Sequence, residues 1–525
     1  MSNRVFKPIT AGKATFLITI TSLISYAMGL LRDRTIAHNF GTSSATDTYN
    51  ASFVIPDMLF NTFIAGALAA AFLPVFSGYL NKDKEEAYKV ANTMITVGTL
   101  FIGLISLIVF IFADSIIPIM FKDTDPGMQK DIIYMTRIIL PASILFTISN
   151  TLGSILMSFR HFFSYSLSPI LYNMGIIIGV VFFNESLGIY SAAIGTIVGA
   201  ILHCLVRIFD TYATDFRFSI LVDIKNPGFI KIIKLMIPKS ISLLTTQINI
   251  YIFSSVGLQI VVGGVAAFNY ARNIQSFAVS LFGIAFATAI FPYLASSASN
   301  SEHEKFTYDI QKTIQRILYF TLPSMVGLML LTKPIVSLIL GGGEFNENSI
   351  YLTSLLLFFF ALSIPFESIM HILQRSFYAI QDTVTPMIAS IVNMIVIAFI
   401  TKYIAPIYGI QWFSIGFSIA SVIQIIILFI LLKKHLSHFK TKKFFISIVK
   451  IIFSCSIMGI FLFFSEKIGI FSIIKESIGK TFYTLIEVAT GGGIYILFTF
   501  ILKSEETSGL TIIYNKFFKK NENKD

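Results

Sequence analysis

The sequence predicts an all-α, polytopic membrane protein of about fourteen transmembrane helices, arranged as two six-helix lobes plus a C-terminal helix pair. Of its 525 residues, 55% are hydrophobic and only 13% are charged, whereas soluble domains carry about 25% charged residues. Apolar stretches of about 20 residues, the length that a helix needs to cross a bilayer, recur along the chain. The period-two alternation of a membrane β-barrel does not occur in the sequence.

The predicted spans follow one another with short loops between them. The first apolar run passes into a charged stretch without a small-residue cleavage site, so we interpret it as a retained helix rather than a signal peptide. The approximate centres of the fourteen spans lie near residues 22, 65, 102, 145, 176, 197, 245, 280, 325, 360, 393, 420, 455 and 490.

The distribution of lysine and arginine predicts the orientation in the membrane. With an even number of spans both termini lie on one side, and the loops NKDKEEAYK and KKHLSHFKTKK fall on that side too. The opposite loops are uncharged (residues 257–264) or acidic (GGGEFNEN). The positive-inside rule therefore predicts a cytoplasmic-membrane protein with both termini cytoplasmic. The basic residues at the two ends are Arg4, Lys7, Lys13, Lys516, Lys519, Lys520 and Lys524.

An internal repeat predicts the division into lobes. The segment ALAAAFLPVFS, ending around Pro74, is echoed by AFATAIFPYLA around Pro292. Six spans separate the copies, so both run the same way through the membrane, and a duplicated lobe with a cavity between the lobes is expected. The predicted domains are an N-terminal lobe at 1–210, a polar cytoplasmic linker at 211–227, a C-terminal lobe at 228–434, and appended helices with a cytoplasmic tail at 435–525.

No pattern in the chain predicts catalysis, a metal or a cofactor. The histidines are scattered, and hydrolase, metalloprotease and phosphate-loop motifs are missing from the sequence. Cys204 and Cys455 lie in apolar segments without disulfide or zinc spacing. The net charge of +11 is attributed to contact of the inner loops with membrane lipid headgroups, not to nucleic-acid binding. This leaves a transporter, a channel or a membrane scaffold, and not an enzyme.

Arg32 and Asp33 are the leading site candidates. They stand in an apolar setting, where charged side chains usually face a wet cavity or a partner. The guanidinium fork of Arg32 is suited to grip a phosphate, with Asp33 as its tether. The alternative is an ion pair at the end of the first helix whose long side chain reaches the interface.

Further candidates lie in the seventh and eighth spans. Lys239 and Gln247 interrupt the seventh, although Lys239 can also extend to the cytoplasmic interface. Arg272 and Asn273 lie well inside the eighth. If Arg32, Arg272 and Lys239 share one cavity, they form a cationic chamber for an anionic, amphiphilic substrate such as a phosphate-bearing lipid. Extension to the interface is predicted for most of the arginines near loops, which are Arg137, Arg207, Arg316 and Arg375.

The same segments resemble the MurJ (MviN) lipid II flippases. The resemblance rests on GLLRDRTIAHNFGTSSATDTYNASFVIPDML, GALAAAFLPVFSGYL, SFRHFFSYSLSPILYNMGIIIG, GIAFATAIFPYLA and RSFYAIQDTVTP, in the family's order from about residue 11 to 435. It implies the fold of the MOP exporter superfamily. It also implies that an undecaprenyl-pyrophosphate-linked peptidoglycan precursor is moved to the outer leaflet by alternating access.

The resemblance also assigns roles. Arg32, Asp33 and Asp47 match family positions. Arg32 and Arg272 would neutralise the pyrophosphate, while Asp33 and Asp47 would orient the substrate or gate its passage. Pro56, Gly66 and Ala67 match the family's frame in the second span.

The chain departs from the family where several charges are expected. Tyr26, Phe60 and Asn61 replace arginines, Ala65 replaces a glutamate, and Asn273 holds the place expected for the arginine that is Arg272 here. These losses leave two alternatives open. One is a flippase for another polyprenyl-linked oligosaccharide, and the other is a transport-inactive scaffold that gathers cell-wall synthesis proteins. A family cation site would need acids where Phe253 and Ile397 stand, although Asn393 is kept.

Overall fold

The computed structural model describes residues 11–437, 441–468 and 472–507, and these parts form an all-helical protein, as predicted. Of the terminal basic residues, Lys13 lies in the first helix and the others lie outside the described residues. The α-helices are α1 (Ala11–Phe40), α2 (Ser44–Ser52), α3 (Val54–Phe60), α4 (Gly66–Leu80), α5 (Lys84–Met120), α6 (Pro126–Ser158), α7 (Phe163–Leu187), α8 (Tyr190–Thr211), α9 (Pro227–Ile260), α10 (Gly264–Ala278), α11 (Ala285–Ser299), α12 (His303–Leu330), α13 (Thr332–Leu340), α14 (Glu347–Ala361), α15 (Ile364–Ala379), α16 (Val384–Phe399), α17 (Ala405–Tyr408), α18 (Gln411–Leu432), α19 (Thr441–Ile468) and α20 (Ser472–Ile501). Short π-helical segments are Asn61–Ala65, Val279–Ile284 and Ile400–Ile404, and 3₁₀ turns are Lys433–His435 and Glu505–Thr507.

The described residues contain many membrane-spanning candidates. By length and composition there are 10, or up to 12 if two bent helix pairs each count as one span. The bends are 83° between α12 and α13 and 47° between α14 and α15. Counting α1, which has 30 residues, and the broken series α2–α4 as further spans makes the fold compatible with fourteen. The exact count remains a prediction.

The chain packs as two compact units. The first contains the chain up to Asn269 together with Leu340–Ser349 and Thr401–Pro406, and the second contains the remainder. In the first unit α9 packs against α4. In the second, α12 packs against α15 and α19, and α19 packs against α20.

Helix lengths recur along the chain in the order that a duplicated lobe requires. α4 and α11 both have 15 residues, and each directly follows a π-helical segment. α7 has 25 residues, as does the span made by α16 and α17 with the π-helical segment between them. α8 and α18 both have 22 residues. On this basis we keep the predicted lobes at 1–210 and 228–434 as a proposal.

Glycines allow α7 and α8 to make backbone contact in the first unit. A Cβ added at Gly199 would lie 2.3 Å from the carbonyl oxygen of Tyr172, and one at Gly175 would lie 2.4 Å from the Cα of Gly199. Gly179 and Gly195 meet in the same way one turn further along. Such small-residue stripes let membrane helices approach closely and pack by van der Waals contact.

Replacing Gly199→Val is expected to destabilise the protein, because the side chain would enter space held by the α7 backbone. Overpacking of this kind costs about 1–3 kcal/mol. The measurement is the thermal midpoint and the monodisperse yield in detergent. Gly327→Val is the control, because a Cβ at Gly327 meets no atom within 4 Å. Equal midpoints for the two variants would contradict the packing argument.

Arg207 differs from its prediction. It was expected to extend to the interface, but it is only 2% exposed within the first unit. Its guanidinium donates to Ser168 Oγ at 2.9 Å, to the carbonyl oxygen of Ser149 at 2.9 Å and to Asn150 Oδ1 at 3.0 Å. Arg207 is an exception among these arginines because α6, α7 and α8 pack closely enough to enclose it and supply its hydrogen-bond acceptors.

Asp382 stabilises the start of α16. Its carboxylate accepts from the backbone N–H groups of Val384 and Thr385, both at 2.9 Å, and from the Thr385 hydroxyl at 2.6 Å. Partial burial alone would raise the pKa of Asp382. The hydrogen bonds from Thr385 and Val384, with a contribution from His435, outweigh burial and hold its pKa below the usual value.

Asp382→Ala is therefore expected to lower stability by about 1 kcal/mol, the usual value of a helix cap. A carboxylate with a lowered pKa stabilises the fold fully above its unfolded pKa, and the stabilisation is lost as the pH falls through the lower, folded-state pKa. The difference between parent and variant should thus be full at neutral pH and shrink in acid. Thermal midpoints recorded across pH test this. A difference that grew on acidification would contradict it.

Candidate functional site

Arg32 lies on α1 with its guanidinium held by two neighbours in the first unit. Nη2 donates to Asp33 Oδ1 at 2.7 Å and Nε donates to the same oxygen at 3.0 Å. Nη1 donates to Asn173 Oδ1 on α7 at 3.1 Å. The side chains of Arg32 and Asp33 are 25% and 8% exposed. The ion pair is thus largely buried and is tied to a second helix.

Two tyrosines and a second acid accompany this pair. Tyr49 and Tyr172 both interact electrostatically with Arg32 and with Asp57. Tyr49 Oη lies 3.2 Å from Thr196 Oγ1 on α8. We call Arg32, Asp33, Tyr49, Asp57, Tyr172 and Asn173 the Arg32 cluster. It combines one guanidinium with two carboxylates, so a bound anion must compete with Asp33 for the guanidinium fork.

Asp47 caps a helix that begins more than two hundred residues later in the chain. Its Oδ2 accepts from the backbone N–H of Gly263 at 2.6 Å, and its Oδ1 accepts from that of Ala266 at 2.8 Å. The residue is 1% exposed. Because these N–H groups lie at the start of α10, the carboxylate satisfies donors that the helix itself cannot pair and faces the positive end of its dipole.

The α13–α14 loop joins the α1–α2 turn beside this cap. The backbone N–H of Glu344 donates to the carbonyl oxygen of His38 at 2.8 Å, and Thr42 Oγ1 lies 2.8 Å from Ser349 Oγ. Gly343 has a φ of +58°, and a Cβ there would lie 2.2 Å from the His38 oxygen. We call residues 38–47, 261–266 and 342–349 the loop junction. It unites the uncharged and acidic loops that the sequence placed opposite the lysine-rich side.

The seventh-span candidates lie on α9 in the first unit. The Lys239 side chain is half-buried and makes a hydrogen bond or another electrostatic contact. Gln247 and its neighbour Asn249 are buried, and their amide oxygens accept no hydrogen bond from the described residues. A buried amide without a partner costs free energy.

The eighth-span candidates lie on α10 in the second unit. Arg272 and Asn273 are half-buried, and Arg272 interacts electrostatically with Glu367 on α15. Gln275 Nε2 donates to Glu367 Oε2 at 2.7 Å and to Ser363 Oγ at 2.9 Å. The convergence of Arg272 with Arg32 and Lys239 on one chamber remains a prediction.

Four residues of these groups were missed in the sequence, namely Tyr49, Tyr172, Asn173 and Glu367. Asn173 was not singled out, because an asparagine within an apolar helix is common and its partner lies 141 residues away. Glu367 carries a signal that was available: it is an acid inside a predicted span, and such residues are costly without a partner. In the described parts of the chain, no group of His, Cys, Asp and Glu could hold a metal ion.

Comparisons with known proteins identify the family. The family profile described as Lipid II flippase MurJ matches residues 36–479. A probable lipid II flippase MurJ from Borreliella burgdorferi is 27% identical over 499 residues, covering 94% of this chain and 96% of the relative. A solved structure of lipid II flippase MurJ in an inward closed conformation has a TM-score of 0.77 and 26% identity, covering 93% of this chain and 98% of that one.

A more distant structure places the fold in a wider group. An inward-facing multidrug resistance MATE family transporter of the MOP superfamily has a TM-score of 0.65 at 15% identity, covering 80% of this chain and 98% of that one. At that identity the likeness concerns the fold alone. The match to the flippase profile extends over most of the chain, and the chain therefore belongs to the MurJ lipid II flippase family.

Proposed function

We propose that this multi-span membrane protein moves lipid II, the undecaprenyl-pyrophosphate-linked peptidoglycan precursor, from the inner to the outer leaflet of the cytoplasmic membrane. The observation that carries the proposal is the Arg32 cluster, a guanidinium held by Asp33 and Asn173 in a member of this family. A guanidinium fork matches two phosphate oxygens, and partial burial strengthens its attraction for an anion. The protein acts as a transporter and catalyses no covalent step.

The competition between Asp33 and substrate suits a transporter. With the fork filled by Asp33, an empty site has no uncompensated buried cation, which would be costly. A pyrophosphate carries more charge and more acceptor oxygens than one carboxylate, so it can displace Asp33 from Arg32. After release, Asp33 returns to Arg32 and the site again holds a paired charge. Asp33 thus orients the guanidinium and also limits how tightly the substrate is held.

The loop junction supports alternating access. Residues 342–349 belong to the C-terminal lobe by the repeat, whereas residues 38–47 belong to the N-terminal lobe, and hydrogen bonds join the two segments. Asp47 adds a second connection to the start of α10. With the lysine-rich loops and both termini cytoplasmic, the junction lies on the outer side. In this role Asp47 is a gating residue, and outward release requires its two hydrogen bonds to break.

The remaining site candidates have supporting roles in the proposal. Arg272 and Asn273 offer a cation and an amide from α10, and Lys239 and Gln247 offer the same pair of groups from α9. The unpaired amide oxygen of Gln247 can accept a hydrogen bond from a sugar or peptide group of the substrate. Membrane lipids surround the protein, and cell-wall synthesis proteins are the expected users of the delivered precursor.

A reconstituted flipping assay tests the proposal. Purified protein in vesicles is given fluorescent lipid II or, in a parallel sample, another polyprenyl-linked oligosaccharide, and outward movement is followed by the access of an added reagent. Faster movement of lipid II than in protein-free vesicles is expected. If only the other oligosaccharide moved, it and not lipid II would be the cargo. If neither substrate moved, the scaffold alternative would be favoured.

A further inference from the structure

The segment between α8 and α9 docks along a membrane helix, although the sequence predicted a polar cytoplasmic linker there. The backbone N–H of Ser219 donates to Asn92 Oδ1 at 3.0 Å, and that of Leu221 donates to Thr96 Oγ1 at 3.3 Å. Asn92 Nδ2 in turn donates to Ser219 Oγ at 3.0 Å. Phe216 is fully buried. We call residues 215–226 the linker loop.

The linker loop runs along α5 and then returns. It begins at Asp215, whose Oδ2 lies 3.3 Å from Lys84 Nζ at the first residue of α5. It reaches Thr96, about 18 Å further along the helix at 1.5 Å per residue, and comes back at Asn226, which donates to Glu86 Oε1. α5 is a membrane-spanning candidate of 37 residues, and the loop lies beside its N-terminal third.

The outward side of the linker loop is apolar. Phe218, Ile220, Val222 and Ile224 stand at every second position of the loop. They are 54%, 82%, 58% and 57% exposed, and Ile220 is the most exposed large hydrophobic residue in the described chain. The backbone N–H groups of the intervening Ser219 and Leu221 donate to side chains of α5. No residue in the described parts of the chain therefore covers the apolar side.

The surroundings indicate what covers this apolar side. On α5, Leu100 lies one turn beyond Thr96 and is 62% exposed, as expected of a helix that faces lipid. Tyr212, at the end of α8, is 66% exposed, which fits the aromatic belt at a membrane interface. We infer that lipid covers the apolar side, because acyl chains surround the exposed apolar face of a membrane-spanning helix.

A basic groove, which we call the lysine groove, adjoins the linker loop near Asn226. Lys225, Lys231 and Lys234 line it together with the apolar residues Ile230 and Leu235, and its volume is about 540 Å³. Lysines beside apolar side chains match the two parts of an anionic phospholipid, the phosphate and the upper acyl chain.

We propose that the linker loop is inserted into the interfacial layer of the membrane and that the adjoining lysine groove binds the headgroup of an anionic phospholipid. The apolar row contacts the upper acyl chains, while α5 satisfies N–H groups on the inner side of the loop. The connection between the two lobes is thereby anchored to one leaflet. This inference does not depend on which cargo the protein carries.

The depth of the loop can be measured with a label. An environment-sensitive fluorophore is attached through Ile220→Cys in full-length protein whose native cysteines are replaced by alanine, in nanodiscs of phosphatidylcholine and phosphatidylglycerol. Lipids spin-labelled near the headgroup should remove most of its emission, and aqueous iodide should remove little. The control is Lys82→Cys, which lies exposed in the α4–α5 loop and should respond to iodide. Equal iodide quenching at both positions would overturn the proposal.

The lysine groove is tested by lipid retention. Native mass spectrometry of detergent extracts counts the phosphatidylglycerol bound to the parent and to the triple variant Lys225→Gln, Lys231→Gln, Lys234→Gln. Affinity should fall about fivefold for each lysine removed, since a basic residue near an anionic surface contributes about 1 kcal/mol. Lys82→Gln should retain the parent's affinity. Unchanged retention in the triple variant, or the same loss in the control, would overturn the groove assignment. Lipid II flipping is measured in a separate assay. A failure of the groove assignment can therefore be distinguished from a failure of the proposed function.

Discussion

Arg32→Ala is expected to abolish the rescue of cells depleted of their own lipid II flippase, whereas the parent chain rescues them. The substitution removes the fork that the cluster presents and takes away the ion pair between Arg32 and the buried Asp33. A charge-assisted hydrogen bond contributes about 1.5–3 kcal/mol, so the loss of a bidentate contact should weaken lipid II binding by about 100-fold. Growth after depletion and the binding of fluorescent lipid II are the two measurements.

Matched variants separate charge from geometry. Arg32→Lys keeps the charge but loses the planar fork, so binding should lie between parent and alanine. Arg34→Ala removes an exposed arginine two residues along the same helix and should rescue fully. Each variant must first elute as a monodisperse protein. Equal rescue by Arg32→Ala and the parent would show that Arg32 is dispensable.

The second large effect is expected from a cross-link across the loop junction. Thr42 Oγ1 and Ser349 Oγ lie 2.8 Å apart, so the pair Thr42→Cys and Ser349→Cys should form a disulfide on oxidation with little backbone movement. If the junction must open on the outer side, oxidation should stop flipping almost completely, and a reductant should restore it. The measurement is flipping of fluorescent lipid II in vesicles under the two conditions.

The single variants Thr42→Cys and Ser349→Cys are the controls, since neither can form this link. Both should transport under oxidation and reduction alike. Asp47→Ala should have the opposite effect to the disulfide and make the loop junction easier to open, because it removes two hydrogen bonds that keep the junction closed. Full transport by the oxidised double variant would show that the junction stays closed throughout the cycle.

The sequence predicts the all-helical fold class well, because the hydropathy of a span is summed over many residues. A single atypical residue therefore changes the prediction of a span very little. The sequence also makes Arg32 a site candidate, since a charge among apolar residues is visible without knowing any neighbour. The partners of such charges depend on tertiary contacts. Asn173 meets Arg32 from another helix, and the enclosure of Arg207 depends on how closely α6, α7 and α8 pack.

Asp47 and the linker loop illustrate the same limit. The position of Asp47 in an apolar stretch indicated a site residue, but its hydrogen-bond partners are the N–H groups of Gly263 and Ala266, which no local pattern connects to it. The linker loop was interpreted as a polar segment because charged residues flank it. Its exposed apolar row depends on the hydrogen bonds that the alternate residues Ser219 and Leu221 make to α5, which no local pattern shows.

The π-helical segment Asn61–Ala65 has a geometric consequence for the second span. Each residue of an α-helix turns the chain by about 100°, so one residue more or less in that segment would rotate α3 by that angle about the axis of α4. Asp57 on α3 reaches the tyrosines of the Arg32 cluster, while α4 packs against α9. A single-residue deletion in this segment would leave the amino-acid composition nearly unchanged but would turn Asp57 away from Arg32. The number of residues in this one turn therefore decides the direction in which the Asp57 carboxylate faces.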